Sequence, residues 1–161
     1  MIPGMILNFL QDRGTFAVGG TRDANRVPHV HYVSGWDVEP DQRTIRCSIN
    51  RAYLDHLFSS LEDNGQFSLT VEQIGTHETY QFKGNYAGSA EPSEADFAAH
   101  RTMTERFAKA VNSLFGQSEE HCRPFIMRPS VIVRFTVKEI FLQTRRAGRR
   151  PDESFRRRSE P

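Results

Sequence analysis

Apolar positions along the chain recur with two different periods. Ile2, Met5, Ile6, Phe9 and Leu10 stand three and four residues apart, the spacing that lines one helix face, and Gly14 supplies a stop. The stretch "TFAVGGTR" (Thr15 to Arg22) then reads as a strand, "DANR" as a turn, and "RVPHVHYVSGWDV" (Arg26 to Val38) as a returning strand. A turn at "EPDQ" leads into a third strand, "TIRCSIN" (Thr44 to Asn50). Helical spacing resumes with Ala52, Leu54, Leu57, Phe58 and Leu61, and Gly65 ends it. In "QFSLTVEQI" Phe67, Leu69 and Val71 alternate with polar residues, as on a strand with one buried face, and "HETYQFKGNYAG" follows as its partner. Ser93 with Asp96 three residues on predicts a capped helix to about Leu114, burying Phe97, Met103, Phe107, Ala110, Val111 and Leu114. After a loop with Pro124 and Pro129, "SVIVRFTVKEIFLQ" is the clearest strand. The order α-βββ-α-ββ-α-β, with tight turns between strands, predicts an antiparallel sheet or barrel flanked by helices.

Composition narrows the class. A chain of 161 residues with 37% hydrophobic and 25% charged residues is most simply one soluble domain. No apolar run approaches the roughly 20 residues that span a bilayer. The start, "MIPGMILNFLQDRG", lacks a basic leader and a cleavage site, so the expected location is the cytoplasm, with no membrane association. Cys47 and Cys122 form neither a disulfide framework nor a zinc spacing. A net charge of +1 argues against nucleic acid as a partner of the domain. The segment 145–161 carries seven arginines against three acidic residues; it is expected to be a disordered tail beyond a single domain at 1–144.

Candidate chemistry begins with His29 and His31, which a strand would point to one face. A metal site of the cupin type also needs a nearby carboxylate and a distant histidine. Asp37 and Glu39 lie past Gly35, and His56, His77, His100 and His121 have no matching offset, so no metal is expected. There is no G-x-S-x-G elbow, no activated cysteine motif and no P-loop. Ser48, Asn50 and Arg51 end a strand where a helix begins, a place where free N–H groups suit an anion such as a phosphate. The simpler reading is that Asn50 caps the helix, Arg51 is solvated and His56 lies on the helix surface.

The blocks "RGTFAVGGTRDANRVPHVHYVSGWDVEP", "TIRCSINRA", "SLEDNGQFSLTV" and "THETYQFKG", consecutive from about Gly14 to Gly84, resemble the pyridoxamine 5′-phosphate oxidase-like proteins. These are the FMN-binding split β-barrels. The resemblance implies an antiparallel split barrel with flanking helices, a homodimer with two cofactor sites at its interface, and a flavin-dependent oxidoreductase acting on a small molecule. Carried over by position, it implies that His31, three residues after Pro28, faces the cofactor phosphate, with His29 nearer the rim. Tyr32 would line the neighbouring backbone; Ser48, Ile49, Asn50 and Arg51 would lie along the flavin; Thr79 would meet its ring.

The departures are specific. Where the family grips the phosphate with a Ser or Thr and then a Lys or Arg, this chain has Tyr53 and Asp55, so binding would lean on Arg51, His31 or His56. The oxidases' C-terminal substrate motifs are absent, which argues against pyridoxamine phosphate as substrate. FMN is the expected cofactor, with a deazaflavin or haem as alternatives; His121 is the residue to consider for haem. The alternative to an enzyme is a binding or stress-related barrel that keeps the fold with a weakened flavin site.

Overall fold

A computed structural model describes residues 1–144, apart from the side chains of residues 12 and 13; the expectation for the arginine-rich tail falls outside the described residues. Six strands form the body: β1 (Phe16–Arg22), β2 (Pro28–Val38), β3 (Thr44–Ile49), β4 (Gln66–Gln73), β5 (Glu78–Ala90) and β6 (Val131–Leu142). All neighbours are antiparallel, in the order β1-β2-β3-β6-β5-β4, and β4 pairs back to β1 to close a barrel. The predicted strands are all present, because alternation places one apolar row of each inside. Ile45, Cys47 and Ile49 of β3, Leu69 of β4, Phe82 of β5 and Val133 and Phe135 of β6 are fully buried there. Burial of each larger side chain contributes about 1.5–3 kcal/mol.

Helices close the two ends. The N-terminal α1 (Gly4–Asn8) runs into a wider π turn over Phe9–Arg13, which inserts Phe9 and Leu10. The Trp36 indole N–H donates to the Leu10 carbonyl at 3.1 Å and Phe9 meets Tyr80 edge-on. Met5, expected on the buried face, is exposed. At the opposite end a 3-10 turn (Arg51–Tyr53) leads into α2 (Leu54–Asn64), which buries Leu57 and Leu61.

The long helix α3 (Glu94–Phe115) has the predicted capping box: Ser93 and Asp96 satisfy each other's backbone N–H groups. It crosses the outside of the barrel over β2, where Gly35 admits it. A Cβ at Gly35 would stand 3.3 Å from the His100 backbone nitrogen. Of the predicted apolar set Met103 is buried, together with Asp96 and Ala108; Phe97, Phe107, Ala110 and Val111 are half-buried and Leu114 is exposed. Asp96 is buried because both of its oxygens accept from Arg46 Nη2 at 2.7–2.8 Å. The segment read as a loop contains a short α4 (Glu119–Cys122) and a 3-10 turn. No helix among the described residues is long and apolar enough to cross a membrane.

Candidate functional site

Strand β2 has two faces, and they divide the candidate residues. Side chains alternate along a strand, so the neighbours His31 and Tyr32 point to opposite sides of the barrel wall. His31 points inward and is 1% exposed; Tyr32 points outward and is 46% exposed. The two therefore cannot line one surface with their side chains.

On the inner side, His31 Nε2 lies 2.8 Å from the Thr21 hydroxyl, while its Nδ1 is buried without a partner. Burial, reinforced by His29 and His56, pushes the His31 pKa down to about 4, so the ring is neutral at pH 7. His29 stacks on His56 of α2, with ring centroids 4.7 Å apart, and approaches an Asp23 oxygen at 3.4 Å. No group of three or more potential ligands among the described residues is placed to hold a metal ion.

Tyr53 links the two sides. Its ring meets His31 at 6.0 Å and Tyr32 at 6.1 Å. Burial followed by the nearby Tyr32 hydroxyl raises the Tyr53 pKa, so the phenol stays protonated.

On the outer side, Val30, at 64% exposure, and Tyr32 stand beside Gly20 and Val18 of β1, their register partners. Phe16 extends this strip, meeting Tyr32 edge-on at 5.9 Å and Phe107 of α3 at 6.0 Å. Beyond β1 the same face turns polar: Ser68 and Thr70 pair with Gly20 and Val18, and Gln81 donates to the Thr70 hydroxyl. An apolar, aromatic strip thus borders hydrogen-bonding side chains.

The strand-end residues behave as the simpler sequence reading described. Asn50 Oδ1 accepts from the Ala52 N–H, and its amide donates to the Arg128 carbonyl at 2.6 Å. Arg51 is exposed and its backbone N–H donates to the Ser130 hydroxyl. Ser48 faces outward beneath α3, near Gly35, and Ile49 is in the core. His56 and Asp55 are exposed on α2. Thr79 is not brought near these residues in one chain. It adjoins Gln143, whereas Ile49 pairs with Val131 at the opposite end of β6, roughly 35 Å of strand away. His121 is exposed on α4.

Sequence reasoning missed an open depression of about 310 Å³ beside this face, lined by Glu94, Phe97, His100 and Arg101 of α3 and by Arg128. The Arg128 guanidinium sits 4.6 Å above the Phe97 ring. His100 Nδ1 lies 3.2 Å from the Ser34 carbonyl. Burial, and then Arg128 and Arg101, hold the His100 pKa below its ordinary value despite that hydrogen bond. No local spacing signals this cluster, because Arg128 arrives through the Asn50 contact, 78 residues apart in sequence.

No protein-family model and no curated protein sequence matches the chain. Solved structures do match. HupZ of group A Streptococcus is 17% identical with a TM-score of 0.53, covering 89% of this chain and 94% of that one. An FMN-binding protein from Syntrophomonas wolfei is 13% identical with a TM-score of 0.52, covering 86% and 84%. An F420 reductase is 10% identical with a TM-score of 0.52, covering 83% and 94%. At these identities the likeness establishes the fold: the antiparallel split β-barrel with flanking helices.

Proposed function

We propose that the chain is a cytoplasmic homodimer that binds a flavin-type cofactor, FMN or a deazaflavin, against the outer face around Tyr32, and oxidises or reduces a small molecule. The observation that carries this reading is the exposed pair Val30 and Tyr32, flanked by the half-buried Val18 and Phe16 and bordered by Thr70 and Gln81. A flat ring system with an apolar face and hydrogen-bonding edges suits such a strip, and so does a second copy of the barrel. The fold is shared with an FMN-binding protein and an F420 reductase, which supports the same choice of cofactor.

The residues present fit the group in character. Tyr32 and Val30 supply the apolar support, Asn50 fixes the strand end, and Arg51, in the turn before α2, is the cation available to a phosphate, with the His56 imidazole in the first turn of α2. Asp55 in the same turn opposes that phosphate. His31 acts as a positioning residue from inside the wall, through its edge contact with Tyr53 and that of Tyr53 with Tyr32. Ser48 and Ile49 hold the third strand in place. Thr79 lies on the same outer face, two residues from Gln81 and joined through Glu72 to Phe16, so it borders the strip from within the chain. When bound, the flavin supplies hydride transfer, and the protein contributes orientation and exclusion of water.

Incubation with FMN followed by desalting tests this. The wild type is expected to keep the visible flavin band, and Tyr32→Ala to keep at least about tenfold less; a colourless wild type refutes the cofactor assignment. Tyr53 and Asp55 favour one second reading, a barrel that binds without catalysis. It is distinguished by flavin that is retained but not reduced by a nicotinamide donor.

A further inference from the structure

We propose that the depression between α3 and Arg128 is a binding site for the oxyanion of a small molecule, a phosphate ester or a carboxylate, held by Arg101, Arg128 and His100. The two arginines come from separate elements and converge on one concavity, and neither is in an ion pair among the described residues. Arg46 shows the alternative, since its Nη2 donates to both oxygens of the buried Asp96. Arg128 is held over the Phe97 ring, which orients a planar guanidinium suited to bidentate contact with an oxyanion. Among the described residues Glu94 is the one carboxylate lining the depression, so with a neutral His100 that lining carries one net positive charge.

The state of His100 follows from its partner. The Ser34 carbonyl can only accept, so Nδ1 carries the hydrogen and the neutral ring leaves Nε2 as its other, unprotonated nitrogen. Around this ring stand Arg101 and Glu94 on its own helix, Arg128 across the depression, the uncharged Gly35 and Ser48 beneath, and the Arg46–Asp96 pair. Both unpaired arginines disfavour a proton on Nε2. An oxyanion between them cancels that repulsion and gains a third donor when Nε2 takes up a proton. Anion binding is therefore coupled to proton uptake at His100.

The site itself does not depend on the flavin proposal; only its use for substrate does. His100 caps the outer face of β2 at Ser34, one outward position beyond Tyr32, so an acid bound there would place its remainder against the proposed cofactor face. On that reading the substrate is a small acid.

The test uses the full chain without flavin, titrated separately with inorganic phosphate and with benzoate, and follows the His100 ring signals by NMR. A saturable shift with a raised His100 titration midpoint is expected. Arg101→Gln and Arg128→Gln should each weaken it about tenfold; the exposed Arg101 leaves the melting temperature unchanged when replaced, and Arg128→Gln lowers it slightly through the lost Phe97 contact. A response to phosphate alone assigns a phosphate ester, and a response to benzoate alone a carboxylate. No saturable shift with either anion, or equal binding by both variants, overturns the proposal. If the wild type fails to retain FMN yet His100 responds to an anion, the flavin reading falls and this site stands.

Discussion

Acid should destabilise this protein well before its carboxylates titrate, and His31 is the reason. In the unfolded chain its imidazole binds a proton below about pH 6.5; inside the barrel it resists protonation until about pH 4. Between those values the unfolded state holds more protons, so stability falls as the pH falls, and above pH 6.5 the effect vanishes. Each pH unit across the window is worth up to 1.36 kcal/mol. The full loss is therefore about 3 kcal/mol, a large part of the 5–15 kcal/mol typical of a domain. The variant His31→Gln keeps a polar atom near the Thr21 hydroxyl but cannot titrate. Urea unfolding followed by fluorescence of the single, buried Trp36, from about pH 7 to about pH 4, gives the comparison. The variant starts less stable, and the gap to wild type shrinks by about 3 kcal/mol as the pH drops. His100, also held below its ordinary pKa, acts equally in both proteins and cancels. Parallel stability curves would refute the reasoning.

Three further perturbations follow from the packing. Gly84→Ala would set a Cβ 2.0 Å from the Thr136 carbonyl oxygen, so β5 must part from β6; a loss above about 2 kcal/mol in a thermal melt is expected, and a neutral result would contradict the close approach. Asp96→Ala removes the carboxylate half of the α3 capping box, so the Ser93 N–H loses its acceptor and Arg46 Nη2 its carboxylate, costing about 2–3 kcal/mol at pH 7. Burial alone would raise the Asp96 pKa, but Ser93 and Arg46 outweigh it and hold it down; this contribution is present above about pH 4 and lost as the pH falls further. Burial raises the Cys47 thiol far above its ordinary range, so peptide mapping after native alkylation should find it unmodified, and rapid labelling would contradict its place in the core.

The barrel was legible in the sequence because its strands alternate. Phe67, Leu69 and Val71 declare their face without reference to anything else, and Ser93 with Asp96 declares a helix start. Long-range geometry was not legible. In β2, Ser34, Gly35 and Trp36 are all buried, since the register shifts between Val33 and Gly35 and α3 covers the outside, so alternation fails there. Helix α3 buries a charged Asp96 whose partner lies 50 residues away, while its Leu114 runs exposed. Of the site residues, Tyr32 lies on the outside of the wall and His31 behind it. A one-residue offset on a strand decides which, and the "PHVHY" stretch gives either choice the same composition. Arg128 has no spacing relation to His100 at all, and joins it only through the folded loop.

The most direct test of the central claim is sedimentation velocity of the chain mixed with FMN, recorded in the visible flavin band. Flavin moving with a species of twice the 18.5 kDa chain mass is the predicted result. Flavin left at the meniscus, or moving with the single chain, would contradict a cofactor held on the Tyr32 face between two copies.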